Sequence, residues 1–488
     1  MVRRLVTGIV QGWQAVLWAI TLLALLFKGL AALNTDVTHT DTHLYLSIAS
    51  NYLLRGEVTP YMWRLQDLNI LAGSGTGYAI YLLVGWLQWA GLSVLSIHAL
   101  MFLAGLVSLA VLYHAVWMQW NPQAALVATA FTAVSRMFFE QYYGRMDAFG
   151  TLAYACLLWL FVFAHQRSSW GWHALLGVAV IVAAEFHILA LLYMAAFALY
   201  YALEYFHRLR AARGWVWAGA PLAFFGAALV SGGLYLALHV LPDPHAYFSI
   251  ASEPTDSSLL VNVGYFIAWL PIEFVALALS LVLLWRTAST HPYAVLLVGW
   301  LIGWIVIAPP YWIQYTSHLW PLLAFGVAGL WQLAPSLLHY RRRVTLVLFT
   351  AALMLVLRAN PLPHVVAFPM MDYAAHRPAA EYIRQHFAPD TVIATAWRFY
   401  LFAWMPEYIN MMTVDDYESV GIAFRGETYL HYWHTESPQV YYGAANPALK
   451  RTQLGDYMKQ QQFIQVQPRL WVRADLFHEL ALTPLEAP

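Results

Sequence analysis

Long apolar stretches recur along residues 1–358 and constrain the fold more than any other feature of the sequence. Most approach the roughly 20 residues that a helix needs to cross the hydrocarbon core of a bilayer. Backbone groups in that core must be satisfied within the segment, which helices achieve. The sequence therefore predicts a polytopic α-helical membrane protein with about 11 spans. The predicted spans are residues 10–33, 97–118, 123–140, 147–165, 173–185, 187–206, 216–240, 258–285, 292–308, 316–338 and 344–358.

The composition excludes several classes of protein. Hydrophobic residues make up 61% of the chain and charged residues 10%, which is too apolar for a soluble protein. The 25 basic and 25 acidic residues give no net charge, so the basic excess that a nucleic-acid partner would require is missing. With Cys156 as the one cysteine, a disulfide within the chain and a cysteine-based metal site are both excluded.

The basic residues predict how the chain is oriented. They all fall on one side of the membrane only if the short aromatic stretch Thr76–Gly91 does not cross, and cytoplasmic loops are the ones enriched in Lys and Arg. We therefore expect Thr76–Gly91 to form a helix in the outer leaflet, and the N-terminus to be cytoplasmic. The basic groups are Arg3 and Arg4, Arg167, Arg208, Arg210 and Arg213, Arg286, and Arg341–Arg343.

The composition changes after Arg358, which predicts two domains. Residues 1–358 form the transmembrane domain, with a first outer loop at 34–75. Residues 359–488 read as a soluble α/β domain, which the same orientation places outside the cytoplasm. Its predicted elements are a helix over 377–387 with Pro378 near the start, and strands at 391–395, 411–414, 463–466 and 470–472.

The first outer loop carries an unusual density of ionisable side chains. Asp36, His39, Asp41 and His43 lie within eight residues, directly after the first apolar run. An unpaired carboxylate inside a bilayer is costly, so this cluster is expected at the membrane face. A carboxylate here can act as a general base, can hold a divalent cation together with His39 and His43, or can merely cap the next helix.

Other polar residues at span ends fall on the same predicted side. They are Arg145, Asp147, Glu185, His187 and His318. Asp147 is either a helix cap or a site residue, and Arg145 either anchors to lipid phosphate or binds a substrate. Glu185 and His187 mark the outer turn of a helical hairpin. Together with His318 and Arg145, His187 would also supply positive charge to an anionic lipid headgroup.

The layout resembles the GT-C superfamily of membrane glycosyltransferases, in particular the bacterial branch related to protein O-mannosyltransferases and the lipid A aminoarabinose transferase. The matching segments are Asp41-Thr-His-Leu-Tyr45, Leu53-Leu-Arg-Gly56, Arg145-Met-Asp147 and Ala379–Arg384. One departure concerns the acids. The family often shows Asp-Glu or Asp-x-Asp in the first loop, whereas Asp41 is followed by Thr42 and His43.

The resemblance implies inverting transfer of a sugar from a polyprenyl-phosphate donor to a glycolipid, glycan or protein acceptor outside the cytoplasm. Asp41, with Tyr45 at the matching offset, is then the expected base, although Asp36 stays open as an alternative. Arg145, His187 and His318 would bind the departing phosphate, Asp147 would orient the acceptor or a metal, and Glu185 would line the substrate site. The expected location is the inner (plasma) membrane.

A transporter or flippase of a lipid-linked solute is the alternative, since the same acids can relay protons. Transporters tend to show paired halves and charges near the bilayer midplane. Here the ionisable residues gather at one predicted face and no half-repeat is visible in the sequence. The sequence therefore favours the enzyme.

Overall fold

The computed structural model describes residues 12–34, 78–92, 94–140, 147–167, 169–210, 219–241, 264, 267–268, 270–307, 318–333, 338–359, 371–395, 405, 408, 411–413, 438–443 and 453–485. These residues divide between two compact units. The first, a helical unit, holds the described residues of 12–34, 78–80 and 98–359, and the second holds those of 81–97 and 371–485. The first outer loop falls outside the described residues, so the predicted domain limits stay a prediction.

Helices occur in every apolar stretch that the sequence singles out. They are α1 (Trp13–Asn34), α2 (Tyr78–Trp89), α3 (Val94–Gln119), α4 (Pro122–Val134), α5 (Arg136–Glu140), α6 (Asp147–Arg167), α7 (Trp170–Ala184), α8 (Ala190–Arg210), α9 (Gly219–Tyr235), α10 (Pro271–Leu283), α11 (His291–Ile307), α12 (Trp320–Gln332) and α13 (Leu338–Ala359). Within the described ranges, four helical segments are long and apolar enough to span a membrane: Trp13–Leu30, Ala99–Gln119, Ala148–Arg167 and Gly219–Leu238. The number of spans and the outer-leaflet position of α2 stay predictions.

Helices α4 and α12 form the centre of the helical unit. Every residue of α4 from Ala124 to Val134 is buried, and α12 is buried along most of its length. The surrounding helices have one buried face and one exposed face. In α9, Phe224 and Ala228 are buried while Leu229 and Val230 are exposed. An exposed apolar face of this kind suits a lipid environment. Cys156 is likewise exposed, on α6.

Glycines allow neighbouring helices to approach closely. Gly299 and Gly303 on α11 form a Gly-x-x-x-Gly pattern against Ala195 and Ala196 of α8. A Cβ atom at position 299 would lie 2.7 Å from the Cα atom of Ala196. Small residues at such crossings let the backbones pack tightly, which is a main source of helix association in membranes.

We expect Gly299→Ala to lower the free energy of unfolding by about 1–3 kcal/mol, because the added methyl group pushes α8 and α11 apart. Thermal or denaturant unfolding in detergent measures this. The matched control is Gly233→Ala on α9, where an added Cβ would meet no atom within 4 Å. That control should be neutral or stabilising, since alanine favours the helix over glycine. Equal stabilities of the two variants would show that the seam is not tightly packed.

Two of the predicted spans are interrupted. The predicted span 123–140 breaks at Ser135, where α4 ends and α5 begins. The predicted span 216–240 ends in a π-helical turn at Leu236–Val240. Apolar periodicity alone does not reveal such breaks.

The second unit is an α/β structure around a five-stranded sheet. Its elements are α14 (Met371–His386), β1 (Ile393–Thr395), β2 (Met411–Thr413), β3 (Val440–Tyr442), α15 (Gln453–Gln460), β4 (Phe463–Gln467), β5 (Leu470–Arg473) and α16 (Ala474–Glu479). The strand order is β2-β1-β3-β5-β4, with β2, β1 and β3 parallel and β5 antiparallel to both of its neighbours.

Helices cover both faces of this sheet. Tyr441 packs with Tyr457 and Met458 of α15, together with Trp471. The next residue, Tyr442, points to the other face, as alternation along a strand requires. There its hydroxyl lies 2.6 Å from Nδ1 of His376 on α14. Among the described residues of 371–485, helices thus pack on both faces of a sheet, as the predicted α/β character requires.

Two details of the predicted second domain are corrected. Pro378 lies inside α14 and not near its start, because α14 already begins at Met371. The short strand β3 was not predicted. The four predicted strands are confirmed as β1, β2, β4 and β5, each shifted by at most two residues at an end.

Candidate active site at one end of the helices

Two of the predicted site residues meet in the helical unit. The ring centroids of His187 and His318 lie 4.4 Å apart, with the ring planes at 37°. The two side chains are 2% and 0% exposed, respectively. They are separated by more than a hundred residues in sequence, so this pairing is a product of the fold. Paired buried imidazoles are candidates for hydrogen bonding to a ligand or for proton transfer.

The turn between α7 and α8 positions His187. Helix α7 ends at Ala184, and the backbone N–H of His187 donates to the carbonyl of Ala183 at 3.1 Å. The carbonyl of His187 in turn accepts from Ala190, the first residue of α8, at 2.9 Å. This confirms the hairpin turn predicted for Glu185 and His187. Gly150 on α6 leaves room for the ring, because a Cβ there would lie 3.0 Å from the Cβ of His187.

A backbone hydrogen bond orients the ring of His187. The backbone N–H of Leu189 donates to Nδ1 of His187 at 3.2 Å. Because Nδ1 accepts in this contact, Nε2 is the ring nitrogen that is suited to donate to a ligand.

Two tyrosines complete the surroundings of His318. The hydroxyl of Tyr193 on α8 donates to the backbone carbonyl of His318 at 2.9 Å. The ring of Tyr154 on α6 stacks on Tyr193, with centroids 4.7 Å apart, and meets His318 edge-on at 5.6 Å. All four side chains are buried. We call His187, His318, Tyr154 and Tyr193 the histidine cluster.

A second polar group lies where α1, α4 and α10 meet. Nζ of Lys28 donates to the carbonyl of Ser135 at 2.6 Å, and Oγ of Ser135 donates to Oε1 of Glu273 at 2.6 Å. The backbone N–H of Arg136 donates to the same Glu273 oxygen at 2.9 Å. Lys28 is 1% exposed and Glu273 3%. We call Lys28, Ser135 and Glu273 the polar clamp.

Aromatic contacts join the polar clamp to the histidine cluster. Nζ of Lys28 lies 5.4 Å from the ring centroid of Phe138 on α5, within range of a cation–π interaction. The Phe138 ring meets Trp320 edge-on at 5.5 Å, and Trp320 follows His318 by two residues. The two groups therefore share one end of the helical unit.

These contacts bring the ends of oppositely directed helices together. The end of α4, the beginning of α10 and the later part of α1 meet in the polar clamp, and the α7–α8 turn meets the beginnings of α6 and α12 in the histidine cluster. This is the arrangement expected of consecutive helices that alternate in direction. The predicted orientation assigns this end to the extracytoplasmic side.

The structure describes only some of the remaining predicted site residues. Asp36, His39, Asp41, His43, Tyr45 and Arg145 lie outside the described residues. Asp147 is the first residue of α6, and its side chain is also outside them. Glu185 caps the end of α7 and is partly buried. The roles assigned to these residues, and the metal alternative at His39, Asp41 and His43, stay predictions.

The polar clamp and both tyrosines were not predicted from the sequence. Lys28 is the one charged residue of α1, and Glu273 is the one charged residue between Leu259 and Trp285. A lone ionisable residue in an apolar run is a functional candidate whose partner should be sought. That rule would have singled out Lys28 and Glu273. Tyr154 and Tyr193 carry no such signal, because aromatic residues are frequent throughout these helices.

Comparisons with known proteins bear on the fold and on part of the sequence. Residues 78–231 match the family model described as dolichyl-phosphate-mannose-protein mannosyltransferase. This stretch includes Tyr154, Glu185, His187 and Tyr193. No curated protein sequence matches the chain.

Solved structures share the fold across almost the whole chain. The crystal structure of ArnT from Cupriavidus metallidurans bound to undecaprenyl phosphate aligns with 95% of this chain and 99% of its own, at 16% identity and a TM-score of 0.55. The apo form of the same protein aligns with 96% of this chain and 99% of its own, at 16% identity and a TM-score of 0.55. The apo oligosaccharyltransferase of Archaeoglobus fulgidus aligns with 87% of this chain and 69% of its own, at 10% identity and a TM-score of 0.48, which is too weak to support an argument.

The family model and the shared fold, together with the apolar helices, identify a multi-pass membrane protein. The resemblance to the GT-C superfamily that the sequence indicates is thereby confirmed: residues 78–231 match a mannosyltransferase family model, and almost the whole chain shares the fold of ArnT.

Proposed function

We propose that this protein transfers a sugar from a polyprenyl-phosphate donor to an acceptor outside the cytoplasm, with inversion at the sugar carbon. The observation that carries the proposal is the fold shared with ArnT, whose crystal structure is bound to undecaprenyl phosphate. The histidine cluster and the polar clamp support it, since both lie at the end of the helices where the first outer loop begins and where the predicted orientation puts the donor headgroup.

The reaction is a single displacement. Asp41 removes the proton from the acceptor hydroxyl or amine, and the acceptor atom attacks the anomeric carbon while the bond from that carbon to the phosphate oxygen breaks. One base and no covalent intermediate give inversion. Polyprenyl phosphate leaves with the electron pair of the broken bond, and its developing charge needs nearby donors and cations.

The other residues bind and orient the two substrates in this proposal. Arg145 supplies the positive charge for the leaving phosphate. His187 and His318 supply N–H donors, which are worth more in a site that excludes water than in solution. Asp147 orients the acceptor. Asp36, Tyr45 and Glu185 line the substrate site, and a divalent metal held by His39, Asp41 and His43 is the alternative role for the first-loop acid.

The first test is the release of polyprenyl phosphate by purified protein. The protein is offered a small panel of polyprenyl-phosphate sugars together with lipid, glycan and peptide acceptors. We expect release from at least one donor, with the sugar recovered on an acceptor in the inverted configuration. The variant Asp390→Asn, which alters an exposed residue of the second unit, serves as the control and should release the lipid as fast as the unaltered protein.

The transporter reading predicts a different result. If no donor releases polyprenyl phosphate while a labelled lipid-linked sugar crosses the bilayer of proteoliposomes, the glycosyltransferase proposal is wrong. A retained configuration at the sugar carbon would leave the transferase reading intact but contradict the single displacement.

A further inference from the structure

The break between α4 and α5 is built from side chains of other helices. Ser135 has an extended backbone (φ −67°, ψ 138°), so the helical hydrogen bonding of α4 stops there and α5 begins one residue later. Backbone groups at such a break need partners. Lys28 of α1 donates a hydrogen bond to the carbonyl of Ser135, and Glu273 of α10 accepts one from the N–H of Arg136.

Ser135 joins these contacts into one arrangement. Its hydroxyl donates to Glu273 and accepts from the backbone N–H of Met137 at 3.1 Å. The four hydrogen bonds described here are thus all accepted by Ser135 or Glu273. The carboxylate of Glu273 and the amine of Lys28 also attract each other electrostatically. The direction of α5 therefore depends on groups that α1 and α10 supply.

The position of α5 bears on the histidine cluster through two aromatic rings. Phe138 on α5 lies beneath the Lys28 amine and packs edge-on against Trp320. Trp320 is fully buried at the start of α12, two residues after His318. A shift of α5 would move Phe138, and the buried Trp320 cannot absorb that shift without moving its own helix end.

We propose that Lys28, Ser135 and Glu273 are positioning residues for sugar transfer: they hold α5 so that Phe138 and Trp320 fix His318 beside His187. The activity measurement for this inference rests on the proposed function. The hydrogen-exchange measurement does not. The polar clamp does not touch the sugar or the phosphate in this scheme. Its removal should therefore lower kcat and leave the donor KM unchanged.

Two double variants separate hydrogen bonding from charge. Lys28→Met with Glu273→Gln removes both charges but keeps an acceptor oxygen at the position of Oε1. Lys28→Met with Glu273→Leu removes both charges and the acceptor. Because both charges leave together, neither variant retains an unpaired buried ion. Ser135→Ala, which removes the shared hydroxyl, is a third variant that leaves the charges in place.

We expect the Leu double variant to show kcat reduced by about 10²-fold, the loss that a misplacement on the order of 1 Å produces. The Gln double variant should lose less activity than the Leu double variant, because the hydrogen bonds to the side-chain oxygen at position 273 persist and only the one from Lys28 to Ser135 is lost. Thr132→Val is the matched control. Thr132 is buried one turn before Ser135, and its hydroxyl bonds only to Ala128 of its own helix at 2.9 Å among the contacts described.

Hydrogen exchange tests the clamp without any reference to activity. The amides of Arg136 and Met137 should exchange faster in Ser135→Ala and in the Leu double variant than in the Gln double variant or Thr132→Val. Unchanged exchange in all variants would overturn the clamp. Faster exchange with unchanged kcat would overturn the positioning role. A raised KM with normal kcat would indicate that these residues bind the sugar donor.

The two proposals fail in different ways. If the unaltered protein transfers no sugar, the proposed function fails while the exchange measurement still decides whether the clamp holds α5. If the Leu double variant does not fold, Ser135→Ala carries the same test through both kcat and exchange.

Discussion

Replacing Asp41 by Asn is expected to lower kcat for sugar transfer by about 10²–10⁴-fold. The amide has almost the shape of the carboxylate but cannot take a proton from the acceptor. Since the residue is predicted to lie in a loop at the membrane face, the change should disturb neither folding nor binding of the lipid donor. Initial rates at saturating acceptor, together with donor binding to the purified variant, measure the two effects separately.

Asp36→Asn is the comparison that identifies the base. Asp36 is placed in the substrate site but not at the proton, so its variant should lose less activity than Asp41→Asn. The exposed control Asp390→Asn should lose none. If Asp36→Asn is inactive while Asp41→Asn is active, Asp36 is the base. If both variants turn over normally, the acids of the first outer loop take no part in the mechanism.

Glu273→Leu alone is expected to lower the free energy of unfolding by about 3–5 kcal/mol, because the Ser135 hydroxyl and the Arg136 N–H lose their buried acceptor and Lys28 loses a nearby carboxylate. Lys28 stays inside the helical unit in that variant and loses the carboxylate that attracts it. Adding Lys28→Met should recover only the electrostatic part of the loss, because the Ser135 hydroxyl and the Arg136 N–H still lack their acceptor.

Unfolding of the single and double variants in detergent measures this pair of effects. The thermodynamic cycle formed by Lys28→Met, Glu273→Leu and their combination isolates the interaction between the two residues. Additive losses would mean that Lys28 and Glu273 contribute independently. In that case the polar clamp would be two separate contacts and not one arrangement.

Much of the helical architecture follows from the sequence, because apolar length alone decides whether a segment can be buried in a bilayer. The helices α6 and α8 begin and end close to the residues that the apolar runs suggest. The interruption at Ser135 is different in kind. It depends on a hydrogen bond donated by Lys28 and on one accepted by Glu273, which lie 107 and 138 residues away in the sequence, and no local pattern encodes partners at that distance.

The candidate site shows the same division. His187 and His318 stand out in the sequence because each is an ionisable residue at the end of an apolar run. Their contact at 4.4 Å, and the hydrogen bond that Leu189 donates to His187, require the three-dimensional arrangement. Glu273 could have been recognised from its isolation in an apolar run, but its pairing with Ser135 could not.

The exposed thiol on α6 offers a spectroscopic view of this site without any engineering of the sequence. Cys156 is the one cysteine of the chain, and Tyr154, two residues earlier on the same helix, contacts His318 from the buried side. A small apolar fluorophore or spin label attached to this thiol would sit at a single known position on the outside of α6. Its signal would report how that helix responds when a lipid donor arrives.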